Sequence, residues 1–259
     1  MADIPHRAKS GKDWTLAELH GYNIYVEFQD ATTFFGVNTL PRPPVDEELL
    51  NNVAADDMEN EKNYKLLRLA HLATSPIPSL ESAVDDYAVQ LLTLLGYTPR
   101  SRITRTHMEI PLTVCHHNCL ATPDVCIVDL DSDEILLIIQ EAKFHKEFMD
   151  PESQLIAAAI ASFQANNDWR HALGQSPISG KVIPGITLTG TSPIFYKIPV
   201  TTELADSVAR GVFPVERTVV HAHLPKLARP ALRTSEGMKA LDSRAIFLAS
   251  FEAFKKFVN

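Results

Sequence analysis

Apolar and polar positions along the 259-residue chain fall into blocks of different period. Tyr64, Leu66, Leu67, Leu69, Ala70 and Leu72 recur at helical spacing between Lys62 and Thr74, and Ser75-Pro76-Ile77-Pro78 closes that helix because proline cannot continue it. Ser79 is a good N-cap for a second helix, in which Leu80, Val84, Tyr87, Ala88, Leu91 and Leu95 make one apolar face up to a stop at Gly96. Glu81 and Asp85, four apart, share an adjoining face of that helix. Ile103 to Val114 is strand-like, and two short apolar runs, Val125 to Leu130 and Ile135 to Gln140, flank the turn-like Asp131-Ser132-Asp133-Glu134 and predict a hairpin. Pro151 suits the first turn of a helix reaching about Leu173. Val182 to Leu188 and Ile194 to Val200 read as two further strands, joined by Thr189-Gly190-Thr191-Ser192-Pro193.

Before residue 61 the pattern is less regular. Trp14 to His20 is amphipathic, Asn23 to Phe28 reads as a strand, and Thr32 to Val37 as a second. Pro41-Arg42-Pro43-Pro44 then breaks regular structure ahead of an acidic, helix-prone stretch from Val45 to Glu61. The expected organisation is an N-terminal extension over 1–60, packed on the main domain or on another subunit and so a route to a homo-oligomer, followed by one α/β domain over 61–259. No internal repeat or low-complexity tract interrupts it.

Composition sets outer bounds. Hydrophobic residues make up 45% of the chain, enough for a substantial core, while Ile135 to Ile139 and the other long apolar runs fall far short of the roughly 20 residues that span a bilayer. Met1-Ala2-Asp3-Ile4-Pro5-His6 lacks an apolar signal core, and three cysteines, Cys115, Cys119 and Cys126, are too few and too clustered for a disulfide framework. An intracellular protein of cytoplasm or nucleus, with no membrane partner, is the expectation. The net charge of -8 argues against a nucleic-acid partner until its distribution is counted. Residues 1–99 carry 15 acids against 7 bases and residues 100–259 carry 17 of each, so the whole excess lies in the first part.

The candidate chemistry lies on the hairpin. Pro123-Asp124 precedes its first strand, and Glu141-Ala142-Lys143 ends its second. Side chains alternate along a strand, so Glu141 and Lys143 point the same way and Ala142 the other. Asp124 and Glu141 are oxygen donors of the kind that hold a hard divalent cation, with Lys143 placing positive charge beside a phosphate or an attacking water. An acid beside Val125 and Ile127 has no local benefit from that position. Arg102 and Arg105 ahead of the hairpin, and Lys146 after it, are candidates for phosphate contacts.

This Pro-Asp and Glu-x-Lys arrangement, with a helix on either side, resembles the PD-(D/E)XK nuclease superfamily over roughly residues 79 to 200. The arrangement from Trp14 through Phe34-Phe35-Gly36 also looks like that of fungal proteins with this core. The resemblance implies a restriction-endonuclease-like fold, a central mixed sheet flanked by helices in αβββαβ order. It further implies that Asp124 and Glu141 bind Mg2+ or Mn2+, that Lys143 orients or activates the hydrolytic water, and that Glu81, with Asp85 as the alternate, supplies a further acidic ligand. Gln154 matches a glutamine found near the site in some members. The expected activity is metal-dependent hydrolysis of a phosphodiester in nucleic acid, DNA ahead of RNA; the alternative is an inactive nuclease fold that binds protein or nucleic acid.

Cys115-His116-His117-Asn118-Cys119, with Cys126 and His107 nearby, offers zinc-type donors, but no second pair stands at a standard separation, so these read as buried or surface side chains. His221 and His223 alternate on one strand face without further donors beside them. No nucleotide-binding glycine loop, nucleophile elbow or aromatic stacking series is present.

Overall fold

A computed structural model describes residues 7–75, 82–142 and 150–258. Among these residues the strands are β1 (Ile24–Phe28), β2 (Arg102–Thr106), β3 (Ile110–Val114), β4 (His117–Ala121), β5 (Val125–Asp129), β6 (Ile135–Glu141), β7 (Gly180–Thr189), β8 (Ser192–Thr201) and β9 (Thr218–His223). The α-helices are α1 (Leu16–Gly21), α2 (Ala31–Phe35), α3 (Glu47–Asn51), α4 (Glu61–Ala73), α5 (Ala83–Leu94), α6 (Pro151–Ala172), α7 (Thr202–Arg210), α8 (Arg233–Glu236) and α9 (Leu241–Phe254). Seven strands form a mixed sheet in the order β1-β9-β8-β7-β6-β5-β2, with β3 and β4 paired separately as a hairpin. β1 runs parallel to β9 and β6 parallel to β7; the other neighbours are antiparallel.

Helices cover both faces of this sheet. Val125, Ile127, Leu137 and Ile139 face one core, shared with α4, α5 and α9, while Cys126, Val128 and Ile138 face another, shared with α6 and α7. Because β5 and β6 are buried on both faces, they read as continuous apolar runs and not as an alternation. The helix α6 approaches closely: Ala157, Ala158, Ala159 and Ala161 are buried, and a Cβ on Gly185 of β7 would meet Leu155 Cδ2 at 2.9 Å. Burying each of Leu155, Ile156, Ile160 and Phe163 stabilises the fold by about 1.5–3 kcal/mol. No helix among the described residues is long and apolar enough to cross a membrane.

Three expected elements take a different form. Thr32 to Val37 is not a second strand but lies largely in α2, because Asp30 caps the helix by accepting from the Thr33 N–H and Gly36, at φ 64°, terminates it in the left-handed conformation. The acidic stretch from Val45 to Glu61 breaks into α3 and a 3-10 turn at Ala55–Asp57 before α4 begins. Buried Arg244 of α9 holds this break, donating to the carbonyls of Leu49, Asn52 and Val53 as well as Met238 and Lys239. Ile103 to Val114 is two strands, with His107, at φ 49°, beginning the turn away from the sheet.

The 1–60 segment is built into this architecture. β1 is an edge strand of the seven-stranded sheet, with Ile24 opposite Thr218, and Trp14, Tyr22 and Ile24 belong to the core that contains α6. The sheet is therefore continuous across the boundary placed at residue 60.

Candidate metal centre

Three elements meet where β5 begins. Pro123 is buried and delivers Asp124 just before the strand, beside the last residues of β2. The Asp124 carboxylate is fixed on one side: its Oδ2 accepts from the Glu141 backbone N–H at 2.6 Å and from Gln140 Nε2 at 2.6 Å. Both donors lie at the end of β6, which is flanked by β5 and β7. The Ala142 N–H donates to the Leu188 carbonyl at 2.7 Å, carrying the β6–β7 pairing past Glu141 and holding that residue in place. Glu141 itself is buried.

The other Asp124 oxygen faces a histidine and a second acid. His107 lies just past β2, its N–H donating to the Asp124 carbonyl at 3.0 Å. Its Nδ1 stands 3.9 Å from Asp124 Oδ1, and its Nε2 lies 3.1 Å from Asp85 Oδ2 in the first turn of α5. The position at that helix start favours a carboxylate by about 0.3–1 kcal/mol. The two acid side chains are only 10% and 9% exposed, whereas the imidazole is 59% exposed. Donor atoms of Asp85, His107 and Asp124 all lie within 4.8 Å of one another.

Two buried carboxylates and an imidazole fit a divalent cation by chemistry and by spacing, since carboxylate oxygen suits Mg2+ and Mn2+ and imidazole suits later transition metals. Burying two acids in one place is costly unless positive charge or donors compensate them. Asp85 and Asp124 are the residues that would hold the ion, with Glu141 beside them through its backbone contact to Asp124.

A row of buried polar side chains continues away from Asp124 along the α6 face of the sheet. Gln140 lies opposite Thr187 of β7, whose hydroxyl is 3.5 Å from the Tyr196 hydroxyl. Burial pushes the Glu152 carboxyl above its usual range and the nearby Asp150 adds to the shift, while a hydrogen bond with Tyr196 opposes it. Burial also raises the Tyr196 phenol.

Of the residues singled out in the sequence, the structure brings together Asp124, Asp85 and the backbone of Glu141. Glu81, Lys143 and Lys146 lie outside the described residues. Gln154 is buried in α6 and donates to the Lys12 carbonyl at 2.8 Å, tying the N-terminal segment to that helix. Arg102 donates to the Val258 carbonyl at 2.8 Å, a tie to the C-terminal segment, while Arg105 is exposed on the edge strand β2. The Cys-His run is the turn of the β3–β4 hairpin, at Cys115 and His116, and the first three residues of β4. Cys115 and His116 adopt φ 50° and 63°, and their N–H groups donate to the Val208 and Ala209 carbonyls near the end of α7. The Cys126 thiol is pushed up to about 11 by burial and contacts Met108. His221 and His223 both bond to Gln29, one to its side chain and the other to its carbonyl.

Two members of the cluster escape a reading by sequence. His107 stands nearest the cysteines along the chain, yet the turn after β2 sends it to the acids. Gln140 is invisible in the Glu-x-Lys pattern, because its place depends on a bulge in β6: Val128 pairs with Ile135 but Ile127 with Leu137, so Leu136 is extra. Were Leu136 paired regularly with Ile127, with no bulge, Asp124 would face Ile139. A scan against protein-family models matches no family, and a search of curated proteins finds no match.

Proposed function

We propose that this protein is a divalent-metal-dependent phosphodiesterase of the PD-(D/E)XK type, with a restriction-endonuclease-like core, acting on nucleic acid and on DNA ahead of RNA. The observation that carries the reading is the meeting of Asp85 from α5, Asp124 before β5 and the Glu141 backbone at the end of β6, within the succession α5, β2, β5, β6, α6, β7. The β3–β4 hairpin is an insertion in that succession.

Mg2+ or Mn2+, when bound, supplies polarisation of the phosphate and a lower pKa for a water molecule. The chain's own residues do the positioning. Gln140 and the Glu141 N–H occupy Asp124 Oδ2, so that Oδ1 is presented toward Asp85 and His107. The Glu-x-Lys motif assigns Lys143 to electrostatic stabilisation of charge growing on the phosphate or to activation of the water. The motif's acid on the preceding helix is Glu81 or, as its alternate, Asp85, and the positions of Arg105 and Lys146 around the hairpin assign them to phosphate contacts.

A plasmid-nicking assay with Mg2+ and Mn2+ tests this. Asp124→Ala is expected to lose at least about a hundredfold in rate, the scale on which removing one charge-stabilising group acts. Equal cleavage by wild type and variant, or none with any divalent metal and any nucleic acid, overturns the reading. The rival, a nuclease fold that binds without cutting, draws on the net charge of -8 and on the engagement of Arg102 with Val258. Under the rival, Mn2+ gives no thermal stabilisation; under the enzyme reading it does, and Asp124→Ala loses that gain.

A further inference from the structure

We infer that His107 is a direct metal ligand and makes this a mixed nitrogen and oxygen centre, selective for Mn2+, Co2+ or another first-row transition ion over Mg2+. The inference rests on the preceding reading for the role of Asp85 and Asp124 as ligands, and deepens it by naming the ion class.

Spacing is the first support. With metal–ligand bonds of about 2.0–2.2 Å, adjacent ligands stand roughly 2.8–3.6 Å apart in octahedral or tetrahedral sites. His107 Nε2 and Asp85 Oδ2, at 3.1 Å, already have that separation. The second support is how His107 is held. Its backbone N–H is bound to the carbonyl of Asp124, so the histidine and the acid are positioned as one unit. The third is exposure: the two acid side chains are about nine-tenths buried and the imidazole beside them is largely exposed, so His107 is the member of the cluster that solvent reaches most. Carboxylates alone suit Mg2+; an imidazole added to them shifts preference toward ions that bind nitrogen well.

The test loads full-length protein with Mn2+, Co2+ or Mg2+ separately. Pulsed EPR of the Mn2+ form reads nitrogen hyperfine coupling, and titrations compare Co2+ with Mg2+ affinity. Wild type is expected to show imidazole nitrogen coupling and to prefer Co2+. His107→Ala is expected to lose the coupling and at least about tenfold of that preference. His107→Asp, which keeps a donor but an oxygen one, retains Mg2+ binding without the coupling. Absence of nitrogen coupling in wild type, or an unchanged Co2+ to Mg2+ ratio in His107→Ala, overturns the assignment. Nicking that depends on Asp124 without any nitrogen coupling sinks His107 as ligand and leaves the phosphodiesterase reading standing; nitrogen coupling without nicking does the reverse.

Discussion

Asp124 has two oxygens with different surroundings. Oδ2 is bound by Gln140 and by a backbone N–H, while Oδ1 faces His107. An anion buried to this extent depends on its donors, and removing one leaves it short by about 1–3 kcal/mol. Gln140→Ala should therefore lower stability by that amount in urea unfolding and weaken Mn2+ binding roughly 10- to 100-fold, the usual effect of removing a group that orients a metal ligand. A variant with full metal affinity would show that the Glu141 N–H alone orients the carboxylate. Asp124, Glu141 and the alternate Asp85 were legible in the sequence because acids beside apolar runs stand out chemically. Gln140 was not, because a polar side chain becomes a partner only through the register that the Leu136 bulge imposes.

The β5–β6 hairpin was predicted with nearly the boundaries it has, since its apolar runs and acidic turn are local signals. Its turn is anchored by Glu134, which binds Lys181 of β7 at 2.7 Å and Arg170 of α6 at 3.2 Å. Burial works to raise the Glu134 carboxyl, but Lys181 and then Arg170 overcome it and hold the group below its usual range. A depressed carboxylate contributes stability that is present above its ordinary pKa and is lost as pH falls through the folded value. Glu134→Gln should accordingly cost about 0.5–1 kcal/mol at neutral pH, with the deficit shrinking in paired urea titrations as pH falls from the ordinary carboxylate range through the lowered folded value. A deficit that persists in acid would assign the effect to packing. The elements read wrongly, α2 and the strand running through His107, are short, and there a cap or one residue of positive φ outweighs strand propensity.

At the scale of the whole molecule, the 1–60 segment has a larger part than its irregular pattern suggests. β1 covers one side of β9, and Trp14, Tyr22 and Ile24 fill the core beside α6. A chain beginning at Ala31 should be insoluble or molten, exposing the β9 edge and that core; a soluble variant with an unchanged thermal midpoint would make the segment separable. Helical and strand periodicity was sufficient for the α/β class, for α4, α5, the β5–β6 hairpin, α6, β7 and β8, and for the acids beside the hairpin, because each depends on neighbours a few residues apart. Folding in three dimensions was needed to put Ile24 opposite Thr218, to carry His107 from the cysteines to the acids, and to turn Gln140 toward Asp124. Those placements depend on contacts between distant segments and on a one-residue bulge, and neither leaves a local period to read.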